Sequence, residues 1–576
     1  MHLSHVKICN FKSIKNLEID LGRYNPVVGY NNAGKSNFLR AIHWLLKKSA
    51  LNETWFHEPN KELWVEGTVD HVSSAIHLLP LNQQQQIQPF VHNDRLTFRR
   101  FQATPGTTAS AVKLEVLDAT GAWKANPTGI DNALGTMLPE PVYVKAMDDA
   151  SDDVGKFAAK NTIGLLIKYA FELARTNNQA AMQTVDSSLA ALGAHLNGAT
   201  RVAEITQLES SATQSLASLF SGISIQIDIP PPSLDEIIKT TTIKLSEGGN
   251  PSRPFADFGH GTQRTVQMAL IQLLAQYAGQ AGRSGSNTVI LIDEPELYLH
   301  PQAICSVSAA LKQLSSSDFQ IFFSTHSPMM VGVDDAAETA VFWKCPQHGT
   351  TYRQKVASAL NDLNNRQHQT DVIYSLSHSS QWLFSERPII VEGKTERQLI
   401  PAIYFGATGK RISQISAALI ESGGSGGSIE IANLFKNLGY SPKVVLDLDF
   451  VFKIAPSLGL VTPTDPNLQA CLQWFVASGP TLGFSLDDQN LPKKGGSFRP
   501  EQAYAALATA LPNECRNIHN LLKAENIWVW PGGSIEAHLG IPKSNAARAH
   551  FATQALAGGI THAADPQTLI DFSNWL

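Results

Sequence analysis

Hydrophobic and polar residues follow more than one period along this chain, and together they predict an α/β protein. Residues 3–8, 17–21, 64–70 and 112–116 alternate apolar and polar side chains, which is typical of strands with one buried face. Residues 289–292 and 389–391 are instead uninterrupted runs of Val, Ile and Leu, as in parallel strands that are buried on both faces. A mixed sheet with helices packed against it is therefore the expected fold class.

The composition changes after residue 153, where helical spacing takes over. Residues 161–175 and 180–220 are rich in Ala, Leu, Gln and Ser, and no heptad repeat persists over several turns, so a long coiled coil is not expected. We interpret residues 153–235 as a helical insertion that packs on itself or on a second subunit. A plain helical layer of the same core explains the pattern nearly as well. Residues 351–384 are polar and predict a connector to a separate C-terminal unit.

Length, charge and cysteine content narrow the class of protein. A chain of 576 residues exceeds one hydrophobic core, so we expect about two to four domains. The net charge of −5 gives no overall basic field, so a nucleic-acid contact would need a local patch or bridging metal ions. Five cysteines without a C-x-x-C pair argue against a zinc site or a disulfide framework. Because we find no signal peptide and no run of 18 apolar residues, we expect a cytoplasmic protein without a membrane partner.

Residues 29–36 read Gly-Tyr-Asn-Asn-Ala-Gly-Lys-Ser and match the phosphate-binding pattern G-x-x-x-x-G-K-[ST]. They lie between a short apolar run and a helical pattern, which is the strand–loop–helix context that this motif needs. Gly29 and Gly34 would let the backbone curl so that its N–H groups point at phosphate oxygens, with Asn32 among the contacting residues. Lys35 would reach the β- and γ-phosphates of ATP, and the Ser36 hydroxyl would bind Mg²⁺. A glycine-rich turn that binds nothing is the weaker alternative.

Two later segments carry residues suited to the same nucleotide. Gly259, Gly261 and Gln263 lie in a polar loop before an apolar helix, which is a second anion-binding arrangement, although a weak signal by itself. Asp293 ends the apolar strand pattern at 289–292, where its carboxylate can hold the Mg²⁺ shell. Glu294 can then orient or deprotonate the attacking water. A surface Asp-Glu turn is the alternative, but so apolar a strand rarely ends in one by chance.

A third loop follows another buried strand pattern, at residues 320–323, and contains His326. A lone histidine at such a place is more often structural than functional. Because it closes an ordered series of motifs, we favour His326 as a γ-phosphate contact.

Carboxylates follow two predicted strands of the C-terminal half. Glu392 ends the strand at 389–391, and Glu396 lies one helical turn further on, so the two can converge on one cation. A later strand pattern at 443–450 carries Asp447 and Asp449, which alternation would place on the same side of the strand. Parallel strands that end in carboxylates at one edge predict an oxygen-rich site suited to Mg²⁺ or Mn²⁺ rather than zinc, as in phosphodiester cleavage. A solvated acidic turn is the alternative for each pair alone.

In order and in residues, the motifs of residues 1–345 resemble the ATP-binding-cassette (ABC) ATPases of the SMC/RecF kind. The resemblance equates residues 29–36 with Walker A, residues 259–263 with the signature loop, Asp293 and Glu294 with Walker B and the catalytic Glu, and His326 with the switch His. In that family two heads sandwich ATP, each signature loop facing the other head's phosphate loop, which implies a homodimer or a higher homo-oligomer. This chain departs from the pattern because its signature loop reads Gly-His-Gly and no Q-loop glutamine stands out.

The C-terminal half resembles a Toprim domain, and an ABC head followed by Toprim resembles the OLD (overcoming lysogenization defect) family of endonucleases. The resemblance implies an ATPase domain over residues 1–375, with residues 153–235 as a possible dimerisation region, and a Toprim nuclease domain over residues 385–576. It makes metal ligands of Glu392, Glu396, Asp447, Asp449 and, in a late Gly-Gly-Ser-Ile-Glu segment, Glu536. The family's catalytic lysine stays open among Lys453, Lys494, Lys523 and Lys543.

The resulting expectation is an ATP-regulated, divalent-metal-dependent DNA endonuclease that acts in defence against phage or mobile DNA. ATP and Mg²⁺ are the expected cofactors, with Mn²⁺ or Ca²⁺ as alternatives at the Toprim site. The resemblance makes a helicase, a reverse transcriptase with its msDNA, or another defence protein a candidate partner. An ATP-switched DNA-binding or repair protein without nuclease activity is the main alternative. A transporter ATPase would give the carboxylates no role. A topoisomerase would need a nucleophilic tyrosine domain, and a primase would need zinc cysteines.

Overall fold

The computed structural model describes residues 1–106, 108–138, 141–146, 178–198, 200–217, 222–229, 243–249, 251–281, 288–317, 319–361, 380–494 and 498–576. Its strands are β1 (His2–Phe11), β2 (Ile14–Asp20), β3 (Tyr24–Val28), β4 (Leu63–Asp70), β5 (Val91–His92), β6 (Arg95–Gln102), β7 (Val112–Leu117), β8 (Trp123–Ala125), β9 (Val142–Val144), β10 (Lys244–Leu245), β11 (Arg253–Pro254), β12 (Thr288–Asp293), β13 (Phe319–Thr325), β14 (Ala340–Cys345), β15 (Gly349–Arg353), β16 (Arg387–Val391), β17 (Ala417–Glu421), β18 (Lys443–Leu446), β19 (Ser485–Leu486), β20 (Pro492–Lys493) and β21 (Ile527–Val529).

Its helices are α1 (Lys35–Leu46), α2 (Ser73–Ile76), α3 (Leu81–Ile87), α4 (Ile130–Met137), α5 (Gln179–Asn197), α6 (Ala203–Ala217), α7 (His260–Ala281), α8 (Pro301–Ser315), α9 (Val356–Asn361), α10 (Lys394–Thr408), α11 (Ser425–Asn437), α12 (Phe450–Lys453), α13 (Pro466–Leu482), α14 (Pro500–Ala510), α15 (Pro512–Ala524), α16 (Ile535–Leu539), α17 (Asn545–Gly558) and α18 (Pro566–Trp575).

The chain separates into two compact units. The first unit comprises Met1–Asn25, Gly34–Thr325 and Pro346–Thr350, and the second comprises Pro26–Ala33, His326–Cys345 and Thr351–Leu576. The second unit therefore includes two short segments, Pro26–Ala33 and His326–Cys345, that lie within the expected ATPase domain. The domain boundary expected between residues 375 and 385 remains a proposal.

The first unit contains an antiparallel run of strands in the order β8-β7-β6-β4-β1-β2. Buried and half-buried residues alternate along them, so that Leu63, Val65, Gly67 and Val69 of β4 are buried. A Cβ on Gly67 would collide with the Leu45 side chain, so the glycine lets α1 approach the sheet closely. The strands predicted from alternation at 3–8, 17–21, 64–70 and 112–116 are confirmed.

A parallel run in the same unit, β13-β12-β9, carries the acidic end of the predicted nucleotide site. Residues 289–292 of β12 are at most 2% exposed, which confirms that this strand is buried on both faces. Asp293 at its end pairs in register with Ser324 of β13. Because parallel strands end at the same edge, the loops after both strands leave the sheet side by side.

The predicted helical segment is helical where the structure describes it, in α5 and α6. Residues 161–175 lie outside the described residues. Of the residues of α5 only Met182 is buried, whereas Leu192 is 41% and Leu208 of α6 is 58% exposed. A role of this segment in dimerisation stays a prediction. No helix in the described ranges is both long enough and apolar enough to cross a membrane.

The second unit is built on a parallel sheet with strand order β17-β16-β18-β21. Ile389 and Val391 belong to one hydrophobic cluster, together with Leu399 of α10. Ile390, between them, belongs to another cluster, together with Leu434 of α11. Since successive residues of β16 face opposite cores, the strand reads as an unbroken apolar run in the sequence.

Two predictions for this unit are wrong in part. β18 ends at Leu446, and residues 447–449 form a turn into α12, so strand alternation does not orient Asp447 and Asp449. Leu448, between them, is fully buried, and its N–H donates to the carbonyl oxygen of Gly533 (2.9 Å). The predicted connector at residues 351–384 is not irregular at its start, because it includes the end of β15 and the helix α9. Residues 362–379 lie outside the described residues.

Candidate functional site

The phosphate-binding loop runs from the end of β3 into α1, as the motif predicts. Gly29 and Gly34 have φ angles of 147° and 101°, in the region that favours glycine. A Cβ on Gly34 would also collide with the Thr350 side chain. Asn32 adopts a positive φ of 68°, which asparagine tolerates better than most residues. The loop therefore requires the small or permissive residues that the sequence supplies.

Lys35 and Ser36 begin α1 and lie beside the end of β12. Lys35 is 4% exposed, and burial lowers the pKa of its ammonium to about 8, although Glu294 and Asp293 act in the opposite direction. The Ser36 hydroxyl donates to Asp293 Oδ1 (2.9 Å), and the Ser324 hydroxyl also donates to Asp293. The structure thus brings together the hydroxyl and the carboxylate expected around Mg²⁺, while their role in binding it stays a prediction.

Glu294 follows on the same edge in a strained conformation. Its φ is 50°, and its N–H donates to the carbonyl oxygen of Ser324 (3.0 Å). Burial raises the pKa of its carboxyl, and Asp293 and Glu296 raise it further. A carboxylate with a raised pKa is a stronger base, which suits the predicted activation of water.

The end of β13 supports this edge from the neighbouring strand. Ser324 and Thr325 are fully buried, and the Thr325 hydroxyl donates to Glu296 Oε1 (2.8 Å). His326 is the next residue of the chain, and its contact with a γ-phosphate stays a prediction.

The predicted signature loop is shorter than the sequence suggested. Because α7 begins at His260, Gly261 and Gln263 lie in its first turn rather than in a loop. Gln263 is 2% exposed, and its amide donates to the carbonyl oxygen of Phe258 (2.8 Å), so it supports the turn from inside. Gly259 is exposed, and no atom lies within 4 Å of a Cβ built on it. Its open position leaves room for a second molecule.

Arg264 is a residue that sequence reasoning missed. It is 4% exposed, and its Nη2 donates to the carbonyl oxygens of Asp293 and Glu294 (both 2.9 Å). Its Nη1 donates to Gln267 Oε1 (2.8 Å). The start of α7 is thereby tied to the end of β12. Nothing in the local sequence signals these contacts.

In the second unit, a cavity of about 460 Å³ lies at the carboxyl edge of the parallel sheet and is lined by Glu392, Asp447, Asp449 and Asp487. Glu392 Oε2, Asp447 Oδ1 and Asp449 Oδ1 are buried and accept no hydrogen bond from any residue that the structure describes. Burial raises the pKa of Glu392, and Asp449 raises it further. Burial also raises the pKa of Asp447 well above its usual range. A buried carboxylate oxygen without a donor is energetically costly, and a cation is a partner that would offset this cost.

Glu396 and Glu536 lie close to this group, but each also has a protein partner. Glu396 is 7% exposed, its Oε2 accepts a hydrogen bond from the Gly393 N–H (3.1 Å), and burial raises its pKa to about 7. Glu536 Oε1 accepts from Arg548 (2.8 Å), and its Oε2 lies 4.0 Å from Lys543 Nζ. Metal ligation by these two residues stays a prediction.

The structure separates the four lysine candidates. Lys453, Lys494 and Lys543 line the cavity. Lys523 instead lies over the ring of Trp528, 4.9 Å from its centroid. The side chain of Lys523 therefore packs on an aromatic residue, which leaves three candidates.

Two of these lysines pair with the carboxylates. Lys543 Nζ lies 3.9 Å from Asp447 Oδ2, and Lys453 Nζ lies 2.7 Å from Asp449 Oδ2. Lys493, beside Lys494, also lines the cavity. The cavity therefore combines carboxylates for a cation with ammonium groups for an anion.

Asp487 and Tyr504 are further lining residues that the sequence did not single out. Asp487 Oδ1 accepts hydrogen bonds from the N–H groups of Gln489 and Leu491 (both 2.9 Å), which fix it in a turn. The Tyr504 hydroxyl is buried and makes no hydrogen bond. The Asp-Asp pair at 487–488 was a weak signal, whereas Tyr504 gave none.

Comparisons with known proteins identify ATPase domains followed by a TOPRIM domain. An AAA ATPase domain model matches residues 1–169, and an AAA domain model matches residues 155–331. A model described as overcoming lysogenization defect protein-like, TOPRIM domain matches residues 383–449, which include Glu392, Glu396, Asp447 and Asp449. They confirm an ATPase followed by a TOPRIM domain, and such domains imply binding of nucleotide and of a divalent metal.

Whole-chain relatives point the same way. The Old nuclease of Escherichia phage P2 is 33% identical over 556 residues, which cover 94% of each chain. The OLD nuclease of Thermus scotoductus is 23% identical over 78% of this chain and 82% of its own. Endonuclease GajA of Bacillus cereus is 21% identical over 70% of this chain and 68% of its own. The protein therefore belongs to the OLD (overcoming lysogenization defect) family of ATPase-linked nucleases.

Proposed function

We propose that this protein is an ATP-regulated DNA endonuclease that nicks or cuts DNA with divalent cations held in the cavity of the second unit. One observation carries the proposal. One buried oxygen of each of Glu392, Asp447 and Asp449, which line one cavity at the edge of a parallel sheet, accepts no hydrogen bond from the described residues. Membership of the OLD family, whose named relatives are nucleases, supports the same reaction class.

An oxygen-only set of ligands favours Mg²⁺ or Mn²⁺, with Ca²⁺ as a third candidate. Glu392, Asp447 and Asp449 would hold the cation, and Glu396 and Glu536 would complete its shell. A divalent cation bound there supplies activation of the attacking water and stabilisation of the leaving oxygen. As the structure stands, no three Asp, Glu, His or Cys side chains among the described residues are grouped tightly enough to hold one ion. Mutual repulsion of carboxylates accounts for this spacing, and a cation would draw them together.

We assign Lys543 as the catalytic lysine. Its ammonium lies 3.9 Å from Asp447 and 4.0 Å from Glu536, so it offsets their charge at the place where a phosphate would enter. Lys493 and Lys494 would hold the DNA backbone, since the net charge of −5 leaves only local basic groups for that contact.

The ATPase end would act as the regulator. Lys35, Ser36 and Asp293 would bind ATP with Mg²⁺, and Glu294 would orient the attacking water. The exposed Gly259 would face the nucleotide of a second copy, which makes a homodimer the expected active form.

A plasmid-nicking assay across Mg²⁺, Mn²⁺ and Ca²⁺, with and without ATP, tests the proposal. Asp447→Asn keeps the shape of the side chain but removes the ligand charge, so we expect nicking to fall about 100-fold or more with ATP hydrolysis unchanged. Asp488→Asn, one residue beyond the cavity wall and exposed, is the matched control and should nick normally. Nicking by Asp447→Asn at the parental rate would disprove the assigned site. ATP hydrolysis and DNA binding without nicking in any of the three metals would favour an ATP-switched DNA-binding protein instead.

We further propose that the nuclease acts in the cytoplasm in defence against phage or mobile DNA, with a helicase or a reverse transcriptase as partner. Cells that express the protein should resist infection, and cells that express Asp447→Asn should not. Equal resistance in both would separate the defence role from DNA cleavage.

A further inference from the structure

Tyr504 reaches the nuclease cavity from α14 in a rigid setting. Its side chain is 4% exposed and lines the cavity. The ring stacks on Phe452 with 5.7 Å between centroids and meets Phe475 edge-on at 5.4 Å. These contacts fix the direction of the phenol, so its hydroxyl cannot swing away to find a partner.

The hydroxyl is a donor without an acceptor. It is buried and makes no hydrogen bond within the described part of the chain, which costs about 1–3 kcal/mol for a group of this kind. Burial raises the pKa of Tyr504, and Asp449 and Asp487, which line the same cavity, raise it further. The phenol therefore keeps its proton throughout the neutral range and can only donate to, never repel, an incoming anion.

The cavity wall indicates the kind of acceptor that would enter. Lys453 Nζ lies 5.8 Å from the centroid of the Tyr504 ring, and Lys493 and Lys494 line the same cavity. A phosphate oxygen could accept from both the ammonium groups and the phenol O–H, whereas an apolar ligand would leave the phenol O–H without an acceptor.

We propose that Tyr504 is a catalytic residue whose hydroxyl donates a hydrogen bond to a non-bridging oxygen of the scissile phosphate of DNA. This inference rests on the nuclease function proposed above. It gives a role to a buried hydroxyl of the cavity wall that neither cation binding nor charge pairing uses. The bond would strengthen as negative charge grows on that oxygen during cleavage.

Tyr504→Phe removes the hydroxyl and keeps the ring on Phe452 and Phe475. We expect nicking with Mn²⁺ to fall about 10- to 100-fold, with ATP hydrolysis and the Mn²⁺ concentration for half-maximal nicking unchanged. Tyr440→Phe is the matched control, because Tyr440 is also a buried tyrosine (6% exposed) but does not line this cavity. It should nick at the parental rate.

A stereochemical readout separates substrate contact from a structural effect. Once the nicking site is mapped, an oligonucleotide duplex carrying an Rp or Sp phosphorothioate there presents sulfur, a weak acceptor, in place of one non-bridging oxygen. One diastereomer should slow the parent enzyme but not Tyr504→Phe. Any of four results would overturn this inference. Parent and Tyr504→Phe could nick equally, or the substitution could shift the Mn²⁺ requirement. The parent could show no thio effect, or its thio effect could survive the substitution. A parent protein that nicks no DNA at all would instead overturn the proposed function.

Discussion

Glu396 offers a test of the electrostatics of the nuclease cavity that needs neither substrate nor metal. Its carboxyl is 7% exposed, and burial raises its pKa from 4.5 to about 7. Glu396→Gln removes the charge but keeps an oxygen that can accept the hydrogen bond from the Gly393 N–H, which Glu396 Oε2 now accepts at 3.1 Å. The substitution therefore isolates the cost of the buried charge.

The sign and size of the effect follow from the pKa. Between pH 4.5 and 7 the folded protein holds a proton that the unfolded chain has released, so the stability of the fold decreases as pH rises through this window. At about 1.4 kcal/mol per pKa unit, the full penalty above pH 7 is about 3 kcal/mol. Glu396→Gln should remove this penalty, so the variant should be about 3 kcal/mol more stable than the parent at pH 8 and only about 1 kcal/mol more stable at pH 5.

Urea unfolding in EDTA, followed by tryptophan fluorescence, measures the difference, since six of the ten tryptophans, Trp528 and Trp530 among them, belong to the second unit. Glu514→Gln, in the first turn of α15, is the control and should show no gain that depends on pH. A gain for Glu396→Gln that is the same at pH 5 and pH 8 would refute the reasoning. When Mn²⁺ replaces EDTA at pH 8, it should stabilise the parent more than the variant, since only the parent offers this carboxylate.

Three further substitutions probe the rest of the site. Arg264→Lys should lower ATP hydrolysis about 10-fold without changing nucleotide affinity, because one ammonium cannot replace the two guanidinium nitrogens that bond to the end of β12 and to Gln267. Phosphate release and nucleotide binding are measured in parallel, and a fall in both would contradict this reasoning. Gly34→Ala should abolish nucleotide binding, because its Cβ would collide with Thr350 and its φ is 101°, and calorimetry with ATP checks this. Lys543→Gln should reduce nicking about 100-fold and leave ATP hydrolysis intact; normal nicking would return the choice of lysine to Lys453 and Lys494.

Much of the fold could be predicted because its signals are local. The side chains of residues 389–391 point alternately into two hydrophobic clusters. Since neither face of the strand is polar, the sequence shows an unbroken apolar run. The phosphate-binding loop is equally local, since the backbone angles of Gly29 and Gly34 explain why glycine stands there.

The parts that could not be predicted depend on contacts between distant segments. The segment from Leu446 to Phe450 has no glycine or proline to end a strand, yet β18 stops at Leu446, because the Leu448 N–H bonds to Gly533 of a later turn. The choice among lysines is of the same kind: Lys523 packs on Trp528 of the neighbouring strand, and only folding reveals that.

The buried Leu448 explains how the carboxylates on either side of it can be held in place while one oxygen of each accepts no hydrogen bond from the described residues. A side chain is usually oriented by its own hydrogen bonds, but such bonds would occupy the oxygens that a cation needs. Here the buried Leu448 side chain and main-chain hydrogen bonds, among them the one from the Leu448 N–H to the Gly533 carbonyl oxygen, hold the turn and so position Asp447 and Asp449. In the proposed cation site, the volume of residue 448 would therefore influence cation affinity, although it contributes no ligand atom. Exchange of Leu448 for a smaller apolar residue would retune the site through packing alone.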